Sequence, residues 1–244
     1  MLRRFQKAFD TVCISALLYK LVQLQIRGPF FEVLENMYNS SHAKIKINNK
    51  LSDAFDILSG TEQGHQMSPE LFKIFVRDLS DELDEFTTCP QLYDMLISHL
   101  LWADDLVLLS LDAATLQKLM NALFRYCNEW GLSVNHTKTK IVIFSNENKY
   151  PNNLYSFNLG PDKIDIVESY TYLGITFNRK GKFDTAINEL RKKSLKALYG
   201  MLRSISIHAL SPKAVFMLFD ALIKAVLLYG CQVWGPNEKW LLFQ

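Results

Sequence analysis

Apolar residues recur at helical spacing from Val12 to Ile26, which predicts a helix with Asp10 or Thr11 as its cap. Gly28-Pro29 closes that run, and Phe30 to Tyr38 reads as a second, shorter helix. The period then changes. Ala43 to Ile47 and Leu51 to Leu58 alternate or run apolar on either side of Asn48-Asn49, and asparagine tolerates positive φ, so a β-hairpin is predicted. A boundary at Gly60 to Gly64 separates this hairpin from Ser68-Pro69-Glu70. Ser68 can cap free N–H groups, Pro69 suits the first turn, and Glu70 faces the positive end of the helix dipole. Leu71, Phe72, Phe75, Val76, Leu79, Leu83 and Phe86 give the helix that follows one buried face.

Ser98 to Ser110 is almost wholly apolar except at its centre, where Asp104-Asp105 stands. The pattern predicts two buried strands joined by a tight acidic turn. Asp112 caps a helix that runs to about Trp130, with Gly131 just past its end. Lys140 to Phe144 reads as a strand, Ser145 to Asn153 as loop, and Tyr170 to Phe177 as a strand. Two long helical patterns follow, Phe183 to Ile205 and Ser211 to Tyr229. The fold class is α+β. Sheet signals give way to helices near Asn178 to Gly181, so residues 1–178 and 179–244 are expected to form separate domains. Phe216, Phe219, Leu222 and Leu227 are expected to pack the core of the helical one; the alternative is an exposed stripe for a partner.

Composition narrows the class. With 49% hydrophobic and 21% charged residues among 244, the chain can bury a substantial core. The net charge is only +2, yet residues 176–226 hold ten Lys/Arg against three acids, which leaves −5 for the rest. That asymmetry points to a phosphate-bearing partner near the C-terminal half. Cys13, Cys89, Cys127 and Cys231 form no CxxC pair, so neither a disulfide framework nor a zinc site is expected. No uninterrupted apolar stretch is long enough to span a membrane, and none is expected as a partner.

The sharpest chemical signal is Trp102-Ala103-Asp104-Asp105. Adjacent carboxylates repel, and apolar flanks disfavour their ionised form. A hard divalent cation resolves that conflict, since Mg²⁺ prefers carboxylate oxygens and keeps positions for water and phosphate. Asp-Asp is also ordinary turn chemistry.

These residues resemble the aromatic-Ala-Asp-Asp box of reverse transcriptases. Further blocks match that family in order: Phe5-Gln6-Lys7-Ala8-Phe9-Asp10, Gly60 to Pro69, Trp130-Gly131-Leu132 with Asn135 and Lys138 to Lys140, Tyr172-Leu173-Gly174, and Leu228 to Cys231 with Trp234-Gly235. The last is similar to a segment following the thumb in non-LTR retrotransposons of animals. The resemblance implies a polymerase palm over residues 1–178, with an antiparallel sheet and an acidic hairpin. A helical thumb and the start of a post-thumb segment would occupy 179–244, with the fingers missing ahead of Met1. It implies RNA-directed DNA polymerase activity: nucleotidyl transfer from a dNTP to a primer 3′-hydroxyl with two Mg²⁺ ions, or Mn²⁺ in their place. Asp104 and Asp105 would hold the metals, and Lys138 would act as general acid to pyrophosphate or as a simple phosphate counter-charge. Phe9 would lie beneath the sugar, and Gln63 and Gly64 would contact the nucleotide and template strand. Tyr172, Leu173 and Gly174 would grip the primer, and Arg191, Lys192, Lys193 and Lys196 would track the backbone of an RNA template and DNA primer. Localisation would be nuclear or cytoplasmic.

The pattern breaks at Arg4. The family's first palm motif carries a metal-bridging Asp there, five residues before the aromatic position matched by Phe9. An arginine brings positive charge to a place meant for cations; two unit charges 4 Å apart repel by about 4 kcal/mol at an effective dielectric of 20. Asp10 is the alternative carboxylate. Glu62 likewise stands where the family has a basic residue. The expectation is a polymerase module by descent that is inactive as it stands. The alternatives are a dead retrotransposon remnant with residual nucleic-acid binding, and a helical partner-binding module.

Overall fold

The computed structural model describes residues 1–5, 8–57, 59–61, 66–145, 155–206 and 210–235. The chain divides into two compact units, Met1–Ile141 with Pro151–Asp165, and Val142–Tyr150 with Ile166–Gln244.

The first unit opens with β1 (Leu2–Arg4), α1 (Ile14–Gln23) and α2 (Pro29–Asn39). A long ribbon follows: β2 (His42–Ala43) pairs with β5 (Phe55–Asp56), and β3 (Lys46–Ile47) with β4 (Lys50–Leu51). Next come α3 (Ser68–Phe75), α4 (Arg77–Leu83), a short hairpin of β6 (Gln91–Leu92) and β7 (Met95–Leu96), then β8 (His99–Trp102) and β9 (Asp105–Leu108). The unit closes with α5 (Ala113–Glu129) and the hairpin of β10 (Phe157–Leu159) and β11 (Asp162–Ile164). Its main sheet is antiparallel in the order β1-β9-β8. Leu106 and Leu108 of β9 join Leu17, Leu21, Phe72, Phe75, Leu79, Leu119, Leu123 and Tyr126 of the helices in the buried core. Each such side chain contributes about 1.5–3 kcal/mol by leaving water.

Asp112 caps α5 as its sequence predicts: its Oδ1 accepts from Thr115 N at 2.7 Å, and Gly131 beyond the other end has φ +68°. Three other expectations are corrected. α1 begins at Ile14 with Cys13 at the cap position, not Asp10 or Thr11. The preceding backbone is drawn into pairing with residues 59–61: Gly60 N donates to Val12 O at 2.8 Å, and Thr61 N to Phe9 O at 2.7 Å. Met67, not Ser68, occupies the cap position of α3. The strand expected at Lys140 to Phe144 is reduced to bridges at Lys140 and Ile141.

The helix expected to run from Ser68 past Leu83 is broken at Val76, which has φ −101° and ψ 7°. The cause is Lys20. Its ammonium is buried on α1 and donates to the Phe75 carbonyl at 2.5 Å, to Asp78 Oδ1 at 2.6 Å and to Tyr126 Oη at 2.7 Å. Tyr126 Oη also donates to Asp78 Oδ1 at 2.6 Å. With the Phe75 carbonyl occupied, Leu79 N turns instead to Val76 O at 3.2 Å. Trp130 lies 3.6 Å beneath the ammonium in a cation–π contact. Burial lowers the Lys20 pKa against the pull of Asp78 and raises that of Tyr126.

In the second unit β12 (Ser169–Tyr172) and β13 (Ile175–Asn178) form a hairpin where the pattern reads as one strand. Leu173 at φ +46° and Gly174 at φ +82° make its two-residue turn. α6 (Asp184–Ser204) follows, then α7 (Pro212–Phe219), a π-turn at Asp220–Lys224, α8 (Ala225–Leu227) and α9 (Cys231–Trp234). The core here is Ile175, Ala186, Ile187, Leu190 and Trp234. Phe216, Phe219 and Leu222 do not join it; they are 71%, 39% and 44% exposed. The π-turn inserts one residue, about 100° of rotation, into this helical run. No helix among the described residues is long and apolar enough to cross a membrane.

Candidate functional site

The two carboxylates stand at the end of the main sheet of the first unit. β8 and β9 pair from His99↔Leu108 to Trp102↔Asp105, leaving Ala103-Asp104 as a two-residue turn. Ala103 takes φ +52°, the left-handed conformation that such turns demand and that L-residues seldom adopt. Asp104 and Asp105 are partly exposed, so the hairpin presents both to solvent. Leu106, Val107 and Leu108 anchor its inner half in the core. At its outer root, His99 Nε2 meets Ser80 Oγ at 2.9 Å and His99 Nδ1 meets Ser98 Oγ at 2.8 Å. Burial lowers the His99 pKa while Asp84, 3.4 Å away, works against that shift.

β1 lies along the other side of β9, with Leu2↔Val107, Arg3↔Leu106 and Arg4↔Asp105 as partners. Position 4 is therefore the direct cross-strand neighbour of Asp105, a Cα separation of roughly 4.5–5.5 Å in antiparallel pairs. Phe5 continues the join: its N–H donates to the Asp104 carbonyl at 3.0 Å, and it bridges to Val134. The rings of Phe5 and Phe9 both rest on Phe72 of α3, at 6.1 and 5.1 Å between centroids. Segments far apart in the chain, residues 4–5, 8–9, 59–61, 68–75, 104–105 and 130–138, thus meet around Phe5 and Phe72. Phe5 is not among the residues that the sequence singles out for the site; its signal is an aromatic one residue from the critical position, ahead of a turn.

Other expected residues divide three ways. Phe9 is half-buried on Phe72, and its carbonyl holds Thr61. Lys138 is exposed in an Asx turn, its N–H donating to Asn135 Oδ1 at 3.0 Å. Asp10 is exposed, on the turn whose backbone packs against Gly60. Gln63 and Gly64, with Glu62, lie outside the described residues. In the second unit Tyr172, Leu173 and Gly174 form the β12–β13 tip, where Tyr229 Oη donates to the Leu173 carbonyl at 2.8 Å. An open apolar cleft of about 550 Å³ runs beside them, lined by Tyr172, Ile175, Phe177, Tyr229 and Val233 among others. Arg191, Lys192, Lys193 and Lys196 are all exposed along α6.

Two adjacent carboxylates can share one hard cation; for a pair of ions the resemblance expects a third carboxylate to bridge them. Among the described residues no three His, Cys, Asp or Glu side chains come together to hold a metal. The strand position nearest Asp105 on β1 is an arginine. The donor set does not fit a two-ion centre.

Comparison with known proteins gives this geometry its context. Residues 5–177 match the family described as "Reverse transcriptase (RNA-dependent DNA polymerase)". The chain is 27% identical to the "RNA-directed DNA polymerase from mobile element jockey" of Drosophila melanogaster, over 96% of this chain and 25% of that protein. It is 26% identical to the "Probable RNA-directed DNA polymerase from transposon BS" of the same species, over 96% of this chain and 26% of that protein. To the "Retrovirus-related Pol polyprotein from type-1 retrotransposable element R2" of Popillia japonica the identity is 24%, over 93% and 37%. The chain spans about a quarter of the length of the first two.

Proposed function

Because the chain belongs to the reverse transcriptase family, we propose that it is the palm and thumb portion of an RNA-directed DNA polymerase of non-LTR retrotransposon descent, silenced at position 4. The observation that carries this reading is the register Arg4↔Asp105. It sets a positive residue at the cross-strand position where the resemblance expects the bridging carboxylate. On this reading an arginine stands in sequence where the third carboxylate is expected, so a ligand is lost and a positive residue takes its place.

On this reading Asp104 and Asp105 are the surviving members of a site for Mg²⁺ or Mn²⁺. Were the site complete, such ions would activate a primer hydroxyl and stabilise the leaving pyrophosphate. The chain's other residues would serve that reaction as follows. Phe9, which packs on Phe72 and whose carbonyl accepts from Thr61, would close the floor under a dNTP sugar. Exposed Lys138 would supply a proton or a counter-charge to the departing phosphates, and Gln63 and Gly64, outside the described residues, would contact the nucleotide. The β12–β13 tip, fixed by Tyr229, receives the primer end. Arg191, Lys192, Lys193 and Lys196 follow the phosphates of an RNA template and DNA primer by charge alone.

The test is primer extension on poly(rA)/oligo(dT) with Mg²⁺ and with Mn²⁺, comparing the unmodified chain, Arg4→Asp, and Asp104→Asn as blank. Extension by Arg4→Asp alone supports the reading. Robust extension by the unmodified chain refutes silencing at position 4. Failure of both shifts support to the second reading, a remnant that binds nucleic acid through α6 without synthesis.

A further inference from the structure

Every residue of the β2 to β5 ribbon from Lys44 to Asp56 is exposed. Its tip is a two-residue turn in which Asn48 has φ +45° and Asn49 φ +63°, which gives the ribbon the strong twist of such hairpins. The ladder runs Lys46↔Leu51 and Ile47↔Lys50, and Ile45 and Ser52 exchange bonds at 2.9 Å below it. Lysine and apolar side chains thus appear on both faces. A two-stranded ribbon with neither face covered is marginal in water, and this one leaves Ile45, Ile47 and Leu51 53%, 67% and 63% exposed.

Charge on the ribbon is segregated. The outer part carries Lys46 and Lys50 and no acid; one step lower Lys44 comes level with Asp53, and at the base Asp56 pairs with His42 at 2.7 Å. None of the three lysines forms an ion pair among the described residues. A twisted two-stranded ribbon is one of the few protein elements that the major groove of B-form DNA admits. Set there, lysines on both faces would face phosphates on both walls, and the Asn48-Asn49 tip and Ile47 would face the groove floor. The deep, narrow major groove of A-form RNA excludes such an element.

We propose that residues 42–56 are a duplex-DNA contact that enters the major groove of B-form DNA, made by residues other than those assigned above to template, primer and nucleotide. Lysine supplies affinity from the phosphates, and the Asn-Asn tip supplies whatever sequence preference exists.

The test is fluorescence anisotropy of the full chain on a labelled DNA duplex and on a duplex RNA of equal length, across a salt series. It compares the unmodified chain with Lys44→Gln/Lys46→Gln/Lys50→Gln and with the corresponding Lys→Arg triple. The Gln triple should lower the DNA salt slope by about 2.7, roughly 0.9 for each phosphate left without its lysine. Its DNA affinity should fall on the order of a hundredfold near 0.1 M salt, while RNA binding holds and the Arg triple stays near the unmodified chain. Thermal melting checks that both triples remain folded. An unchanged DNA slope overturns the proposal. If Arg191→Gln/Lys192→Gln/Lys193→Gln/Lys196→Gln abolishes binding while the ribbon variant does not, the reading of α6 stands and this inference alone fails. No DNA binding by the unmodified chain overturns it outright. Loss of self-association in sedimentation, with DNA binding intact, assigns the ribbon to a protein partner and overturns it too.

Discussion

Removing a buried charge and removing its partner are different perturbations, and the Lys20 node separates them. In Lys20→Met the stem keeps its length and the ammonium vanishes. The charged hydrogen bond to Asp78, about 1.5–3 kcal/mol when desolvated, is lost. Its value here is at the low end, because the Asp78 side chain is 44% exposed and can rehydrate. The contact with Trp130 adds about 1–2 kcal/mol. Against these stands relief from burying an ammonium that is only 7% exposed. Tyr126 keeps its bond to Asp78. The net cost is about 2 kcal/mol. In Asp78→Asn the ammonium remains buried without a carboxylate, and the cost is about 3–4 kcal/mol. With a urea slope of about 3 kcal/mol/M, the midpoints should fall by roughly 0.7 M and 1.1 M. The double variant should resemble Lys20→Met, because Asp78 has little to do once the cation is gone. Urea titrations followed by circular dichroism and tryptophan fluorescence read all three. Asp78→Asn costing less than Lys20→Met, or additive costs in the double variant, would refute the reasoning.

Three further outcomes are expected. His99 has its folded pKa lowered, so the unfolded chain binds the extra proton first. Stability should therefore rise with pH as the ordinary histidine range near 6.5 is crossed, and His99→Gln should flatten that acid-side slope in melting curves from about pH 5 to 7. Gly60→Ala forces an L-residue to φ +95° with its Cβ 3.0 Å from the Asp10 carbonyl oxygen. A loss of about 2 kcal/mol is expected, together with faster amide exchange at Thr61. Tyr229→Phe removes the hydroxyl that holds Leu173; exchange at the β12–β13 tip should accelerate for a stability cost of about 1 kcal/mol, and an unchanged exchange rate would sink the tethering role.

Much of this is written in local pattern. The acidic hairpin is legible because apolar runs bound it on both sides, and α5 because Asp112 and Gly131 mark its ends. What escapes is decided by partners far along the chain. Nothing near Val76 announces a helix break, since the group that takes the Phe75 carbonyl comes from Lys20, 55 positions earlier. A hint does exist: Lys20 interrupts the stripe of Leu17, Leu21 and Leu24, and a lone charge on an apolar face needs a buried partner. Asp10 and Thr11 look like caps by composition, but pairing with Gly60 and Thr61 claims the backbone around them. For the site, motif order identifies Asp104, Asp105 and Arg4, while only the strand register makes position 4 and Asp105 neighbours.

The π-turn at Asp220–Lys224 has a consequence in terms of insertion and deletion. A helix holding such a turn carries one residue more than its span requires. Deleting one residue between Asp220 and Lys224 would leave the helix intact while turning everything on one side of the deletion by about 100° relative to the other. Phe216 and Phe219 would then be carried around the helix axis relative to buried Ile223. The helix thus tolerates a one-residue change in length at that point, and its effect is to alter which apolar side chains the last helices hide and which they display.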